Sequence, residues 1–375
     1  MFNIKTLNKI SASGLANFDA EQYICGDDME NPDAIIVRSA SMHEMEMPDS
    51  LLAIARAGAG VNNIPVDDCA EQGIVVFNTP GANANAVKEL TVCGLLLASR
   101  RIVPATEWIK ELKGSGDEVS KKVEKGKSNF VGPEISGKTL GVVGLGAIGR
   151  LVAAAAASLG MKVIGYDVFL PENLENVELT SDLDKIFVES DYITLHCPSL
   201  PTTKNMINAD SIAKCKDAVR ILNFARGDLV NTADLISAVD SGKVAAYVTD
   251  FPADDMLCHD GIIAIPHLGA STPESEENCA VMAVKQLADY LENGNIKNSV
   301  NFPNVCLPVT ENARVCVLSD EDVADKIEAI LGNVTAKVSV FKKKAAAIFE
   351  VAEFDESKIE AIANIPGIIA IRVIE

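Results

Sequence analysis

Aromatic residues are scarce: they make up 5% of the 375 residues, with a single tryptophan, Trp108. A chain that is still 48% hydrophobic must fill its interior with Ala, Val, Ile and Leu, as proteins built of helices on buried parallel strands do. No Cys-x-x-Cys pair occurs. The nine cysteines (Cys25, Cys69, Cys93, Cys197, Cys215, Cys258, Cys279, Cys306 and Cys316) are scattered and odd in number, which argues against a disulfide scaffold and against a zinc cluster. No metal is therefore expected, and the thiols read as reduced, in a cytoplasmic protein. No segment has membrane-spanning length, and Met1–Ser11 lacks the apolar stretch of a secretory signal. Positive charge is in deficit as well. The formal net charge of −20 excludes nucleic acid and anionic membrane surfaces as general partners, and an anionic small molecule would need a local basic pocket.

What the chain does contain is alternation. Ala34–Val37, Leu51–Arg56 and Ile74–Asn78 read as buried strands, with a helix over Val66–Gln72 stopped by Gly73. A second strand-helix series begins near Lys138, with strands at Leu140–Val143, Lys162–Tyr166, Tyr192–Leu195, Val219–Asn223, Val244–Thr249 and Ile262–Ile265. Such alternation predicts an α/β protein with parallel sheets covered on both faces. Between the series, Asn85–Leu112 reads as a connecting helix and Lys110–Ser128 as an exposed loop. A second long helix is expected from Ser271, which has capping-box spacing to Glu274, and it should stop at Gly294. After Phe302-Pro303 the order becomes βαββαβ over Ala313–Ile374, the ferredoxin-like arrangement.

The strongest motif is Gly144-Leu145-Gly146-Ala147-Ile148-Gly149-Arg150. Alone, G-x-G-x-x-G is weak, but here a strand enters it, an alanine-rich helix leaves it, and the next strand delivers Asp167 at the place of a ribose-binding carboxylate. The glycines allow a pyrophosphate close to the helix N-terminus, and Asp167 favours NAD over NADP. Arg226, in Asn223-Phe224-Ala225-Arg226-Gly227, ends a strand where it can hold a carboxylate through two parallel hydrogen bonds. Of the four histidines, His267 lies between a buried strand and a capped helix and suits a proton acceptor. His196-Cys197-Pro198 also ends a strand, but leads into a loop, Ser199–Thr203, better suited to lining a cofactor.

Taken in order, Gly144–Arg150, His196-Cys197-Pro198, Asn223–Gly227, Asp250 and Pro266–Thr272 resemble the D-isomer-specific 2-hydroxyacid dehydrogenase family. The resemblance implies hydride transfer between NAD and a small 2-hydroxy acid. It also implies a Rossmann NAD domain (residues 98–286) inserted in a doubly wound, flavodoxin-like substrate domain (1–97 with 287–303), followed by a small domain (307–375). Arg226 is similar to the family's carboxylate-binding arginine, His267 to its catalytic histidine and Asp250 to the residue that holds the nicotinamide carboxamide. Further cofactor contacts carried over are Ala147, Ile148, Thr203, Ala225 and Gly269, with Arg226 and His267. Arg38-Ser39 and Arg56-Ala57-Gly58 match substrate-contacting stretches, the arginines as phosphate partners. The third catalytic member, a glutamate in the family, falls on Asp255, with Asp254 the alternative.

Within the family, Arg56–Asn63, Asn78–Gly81 and the tail are most similar to members that oxidise 3-phospho-D-glycerate to 3-phosphooxypyruvate on the way to serine. A homodimer or homotetramer is expected. Enzymes of glyoxylate, hydroxypyruvate or lactate, and non-catalytic NAD-sensing corepressors, are the alternatives. The tail resembles an ACT domain. Leu318-Ser319-Asp320-Glu321-Asp322 stands where effector-binding ACT domains often carry Asn-x-Pro-Gly, so the tail is expected to serve assembly, its second sheet face meeting a partner subunit or solvent.

Overall fold

Runs such as Ala34-Ile35-Ile36-Val37 are buried at every residue, which requires a sheet covered on both faces. The computed structural model describes residues 1–375 and contains two such sheets, each in its own unit: Met1–Asn83 with Thr272–Glu375, and Ala84–Ser271. In the first unit β1 (Phe2–Leu7), β2 (Tyr23–Gly26), β3 (Ala34–Val37), β4 (Ala53–Arg56) and β5 (Val75–Phe77) are all parallel, in the order β2-β1-β3-β4-β5. That is the flavodoxin-like order. Helix Pro273–Asn293 lays Ala280, Ala283, Val284 and Leu287 into one core with Ile4, Ile36, Ala55 and Phe77. Its N-cap is Thr272, not Ser271: Thr272 Oγ1 accepts from Ser275 N at 3.1 Å. Pro273 forces its predecessor out of helical geometry, which makes Thr272 the boundary residue.

The second unit holds β6 (Thr139–Val143), β7 (Lys162–Tyr166), β8 (Val177–Thr180), β9 (Tyr192–Leu195), β10 (Val219–Asn223), β11 (Val244–Thr249) and β12 (Ile262–Ala264). They form one parallel sheet, β8-β7-β6-β9-β10-β11-β12, and strand order reverses between β6 and β9. The connecting helix is two helices, Ala84–Arg100 and Ile102–Lys110, broken where Arg101 takes a left-handed φ of 46°. Leu95 and Ala98 of the first enter the core with Val142, Val152 and Tyr192, so the chain crosses between units ahead of this helix, at 83/84. Lys110–Ser128 is not a plain loop. It contains helix Val119–Gly126, which buries no residue and carries the surface pairs Lys121–Glu118 and Lys127–Glu124 in its surroundings.

The tail forms an antiparallel sheet of β13 (Ala313–Ser319), β14 (Val334–Phe341), β15 (Ala345–Val351) and β16 (Ile368–Ile374), ordered β14-β15-β13-β16 as in ferredoxin-like folds. One face packs Val315, Val317, Ala347 and Phe349 against its two helices. The other face is neither wet nor turned to a partner. Leu318, Ala346 and Ile348 belong to the same core as Ile4, Tyr290 and Leu291 of the first unit. Strand β15 is accordingly buried at all its positions, alternate residues serving the two cores. The docking is also polar. Arg314 Nη1 donates to Asn293 O at 2.8 Å, and Arg372 Nη2 donates to the carbonyls of Tyr290 and Leu291 while its guanidinium lies 4.5 Å from the Tyr290 ring centroid. Two cations thus meet carbonyls in the last turn of helix Pro273–Asn293, where the helix dipole favours them. Replacing Arg372 by Ala should cost roughly 1.5–3 kcal/mol. For a unit of this size each kcal/mol lowers Tm by about 2–4 °C, so thermal unfolding should shift by several degrees, and an unchanged transition would contradict this docking.

Candidate active site

In the second unit the Gly-rich turn follows β6 beside the point where strand order reverses. Gly144 adopts φ 95°, and a Cβ there would lie 2.6 Å from His196 O. A Cβ on Gly149 would lie 1.9 Å from Gly144 O, so the helix Ala147–Ser158 can pack this close only with glycine. Gly146 has open space where its side chain would be, which suits the approach of a ligand to the uncapped helix N-terminus. Asp167, at the end of β7, accepts from Leu145 N at 2.7 Å and from Phe169 N at 3.0 Å, and Arg150 Nε donates to Leu145 O at 2.7 Å. The carboxylate is thereby fixed beside the turn, with lone pairs remaining for ribose hydroxyls. Arg150 was visible only as the end of the motif; its role in bracing the loop was not.

His196 follows β9. Its Nε2 lies 2.9 Å from Thr194 Oγ1, while its Nδ1 is buried without a partner. Burial pulls this imidazole down to about 3. Cys197 donates to Met206 Sδ, and burial pushes its thiol up to about 11. Thr203 Oγ1 donates to Pro198 O and accepts from Leu200 N, closing the loop after Pro198.

Arg226, after β10, is exposed, its Nη1 donating to Ala225 O at 2.7 Å. Asp250, after β11, is 1% exposed. Its Oδ2 accepts from Gly269 N at 3.1 Å and its Oδ1 is buried with no partner. Burial raises the Asp250 carboxyl, against the pull of the Gly269 amide and of the nearby His267. His267 itself is exposed, its ring 4.8 Å from that of Phe251. Asp254 and Asp255 lie in an exposed turn, Asp254–Met256, and neither forms a hydrogen bond or ion pair with His267. The structure therefore brings His267 to Asp250 and Phe251, and not to either member of the Asp254/Asp255 pair.

Two residues that sequence reading did not single out organise this edge. Asn223, fully buried, accepts from Ala225 N (3.1 Å) and donates to Arg226 O (2.8 Å) and Tyr247 OH (3.3 Å). Thr249, also fully buried, donates from Oγ1 to Asn223 O (2.9 Å) and accepts from Phe251 N (3.1 Å). The loops of Arg226 and of Asp250-Phe251 are thus tied by side chains at the last positions of β10 and β11. A buried polar residue at the end of an apolar strand is the signal that could have found them.

In the first unit, Arg38 follows β3 and Arg56 ends β4. Arg56 Nε donates to Arg38 O at 3.1 Å, and Arg38 Nη1 pairs with Glu276 Oε1 at 2.8 Å. The Arg56 guanidinium lies over Gly58: a Cβ there would sit 1.5 Å from Nη1. Ser39, exposed, and Ala40 donate their amides to Asn8 Oδ1, with Asn8 at φ 69°.

Residues 93–269 match the family profile described as D-isomer specific 2-hydroxyacid dehydrogenase, NAD binding domain. Over 267 residues the chain is 42% identical to a hydroxypyruvate reductase of Thermotoga maritima, covering 68% of this chain and 83% of that one. The chain belongs to the D-isomer-specific 2-hydroxyacid dehydrogenase family. It is also 34% identical, over 90% of its length, to a D-3-phosphoglycerate dehydrogenase of Synechocystis, of which it spans 60%; for that of Methanocaldococcus jannaschii it spans 53%. Among solved structures it resembles the NAD⁺-bound 3-phosphoglycerate dehydrogenase of Entamoeba histolytica, at 26% identity and a TM-score of 0.63, covering 82% of this chain and 99% of that one. No helix is long and apolar enough to cross a membrane.

Two measurements probe this edge of the sheet. An unfolded imidazole titrates near 6.5 and that of His196 near 3, so the unfolded chain binds more protons between those pH values. Stability must fall as pH drops from 6.5 towards 3, and His196→Gln should flatten that part of the pH dependence of the denaturation midpoint. An unaltered slope would show that the imidazole is not shielded. Thr249→Val keeps the shape and removes the bridge between loops. It should lower turnover about tenfold while NAD affinity stays within about twofold, since displaced catalytic groups are costly even when binding survives. Equal turnover would separate Thr249 from the chemistry.

Proposed function

We propose that this dehydrogenase oxidises 3-phospho-D-glycerate to 3-phosphooxypyruvate with NAD. The observation that carries the reading is the placing of Arg226, Asp250 and His267 at the ends of β10, β11 and after β12, on the edge that also bears the Gly-rich turn. The open side of Gly146, the fixed Asp167 carboxylate and the unpartnered buried Nδ1 of His196 and Oδ1 of Asp250 fit a dinucleotide that completes them. Its pyrophosphate would lie at Gly144–Gly149, its ribose at Asp167 and its carboxamide near Asp250. NAD, when bound, supplies the hydride acceptor.

Arg226 holds the substrate carboxylate through its two-pronged guanidinium. His267 takes the proton of the C2 hydroxyl as the C2 hydrogen departs as hydride, leaving the C2 carbonyl. The nearby Asp250 carboxylate stabilises the imidazolium so formed. The family's acidic partner falls on Asp255, or on Asp254, and either could serve only after moving towards the imidazole. We assign the phosphate to Arg38 and Arg56, the two arginines that match the family's substrate-contacting stretches. The free state of all nine thiols supports a cytoplasmic setting, and the apolar Ile102, Val103 and Ile109 exposed on one helix support a homo-oligomer.

The identity to a hydroxypyruvate reductase over most of that enzyme's length favours a second reading, reduction of the unphosphorylated keto acid. Kinetics with matched substrates decide between them. Arg56→Ala should raise KM for 3-phosphoglycerate at least about tenfold, the loss of one charged hydrogen bond, and leave that for D-glycerate nearly unchanged. Parallel losses would favour the unphosphorylated substrate. His267→Ala should lower kcat by about 10²–10⁴, with NAD affinity retained. A rate near that of the parent would move the proton acceptor elsewhere.

A further inference from the structure

A recess of about 490 Å³ lies wholly within the first unit, between helix Pro273–Asn293, the loop after it and the turn at Gly81-Ala82. None of the residues given a role in hydride transfer lines it. Its helix wall is a stripe at helical spacing, from Asn278 through Lys285 and Gln286 to Asp289. Gln286 is 8% exposed, and neither its amide nitrogen nor its amide oxygen has a hydrogen-bond partner. Such an amide has lost its water without compensation, which in a polar recess points to a missing ligand. Lys285 and Lys297 both line the recess, and no ion pair engages either. Asp289 receives the amides of Asn293 (3.2 Å) and Asn295 (2.8 Å) on Oδ1 alone, leaving Oδ2 without a hydrogen bond.

We propose that this recess binds a small carboxylic acid that also carries a hydroxyl or ammonium group. The lysines receive the carboxylate, Gln286 supplies one donor and one acceptor, and Asp289 Oδ2 accepts from the second group. Asp289 also selects against a phosphate dianion, which it would repel, whereas a single carboxylate balanced by two lysines is tolerated. Val281 and Met282 give the wall enough apolar surface to hold a short carbon chain.

The test is titration calorimetry on the full chain carrying Arg226→Ala, so that binding at the hydride-transfer site does not contribute and the result stands apart from the proposed reaction. The probes are glycine, L-threonine and L-malate, with acetate and inorganic phosphate as controls. At least one of the three should bind more tightly than both controls. The double variant Lys285→Gln/Lys297→Gln and the variant Gln286→Leu should each weaken that probe about tenfold or more. The lysines are exposed, so the double variant decides the matter should Gln286→Leu fail to fold. Absence of binding by all three probes, equal binding by the variants, or binding of phosphate or acetate as tight as that of the probes would each overturn the proposal.

Discussion

Parallel pairing is the constraint from which the chemistry of the second unit follows. When every strand runs the same way, every carboxyl end opens on one edge of the sheet, and whatever the chain carries just after its strands is gathered there without further design. In this way Gly144, Asp167, His196, Arg226 and Asp250, separated by up to a hundred residues or so of chain, share an edge through the register of β6, β7, β9, β10 and β11. Parallel strands must be buried on both faces, and that burial acts on the site as well. It holds His196 neutral and raises the Asp250 carboxyl, so the interior lip of the edge disfavours charge while Arg226 and His267, outside it, remain solvated.

Precision at this edge comes from buried polar side chains. Asn223 and Thr249 sit at the last strand positions, where the ladder of backbone hydrogen bonds ends and loop amides need partners. Each side chain bonds backbone groups of its own loop, and Thr249 Oγ1 also donates to Asn223 O, so the two loops are held as a single object. The first unit uses the same device: Asn8 holds the amides of Ser39 and Ala40, and Asn78 donates to Ala59 O at 2.7 Å.

Wherever an element is uniformly apolar it is legible in sequence. Lys162–Tyr166, Tyr192–Leu195, Val219–Asn223 and Ala345–Val351 coincide with the strands read from the residues alone. Strands β1 and β2 escaped that reading because Asn3, Lys5 and Thr6 or a short length mask the pattern, and β8 because an edge strand buries little. Among candidate site residues, those in a ligand-shaped motif can be picked out in the sequence: the Gly-rich turn, Asp167, Arg226 and His267. Asn223 and Thr249 act through backbone atoms brought close only by the fold, and so does the neighbour of His267, which is Asp250 in the structure. The tail's second face misled for a related reason. Its alternation is that of any two-faced sheet, and nothing local to β13 or β15 says that the covering surface is Tyr290 and Leu291 of the same chain.

The shared core of the tail and the first sheet has a consequence for synthesis. The second unit is one uninterrupted stretch, Ala84–Ser271, and has all its strands as soon as it is made. The first unit is split, and strands β1–β5 emerge long before helix Pro273–Asn293 and the tail sheet that cover them. At about 5–20 residues per second, the ribosome leaves that apolar face waiting for roughly ten to forty seconds while the inserted unit is translated. Folding of the first unit must therefore finish after that of the inserted one, and during that interval Ile4, Ile36 and Phe77 are the surface a holding chaperone would meet.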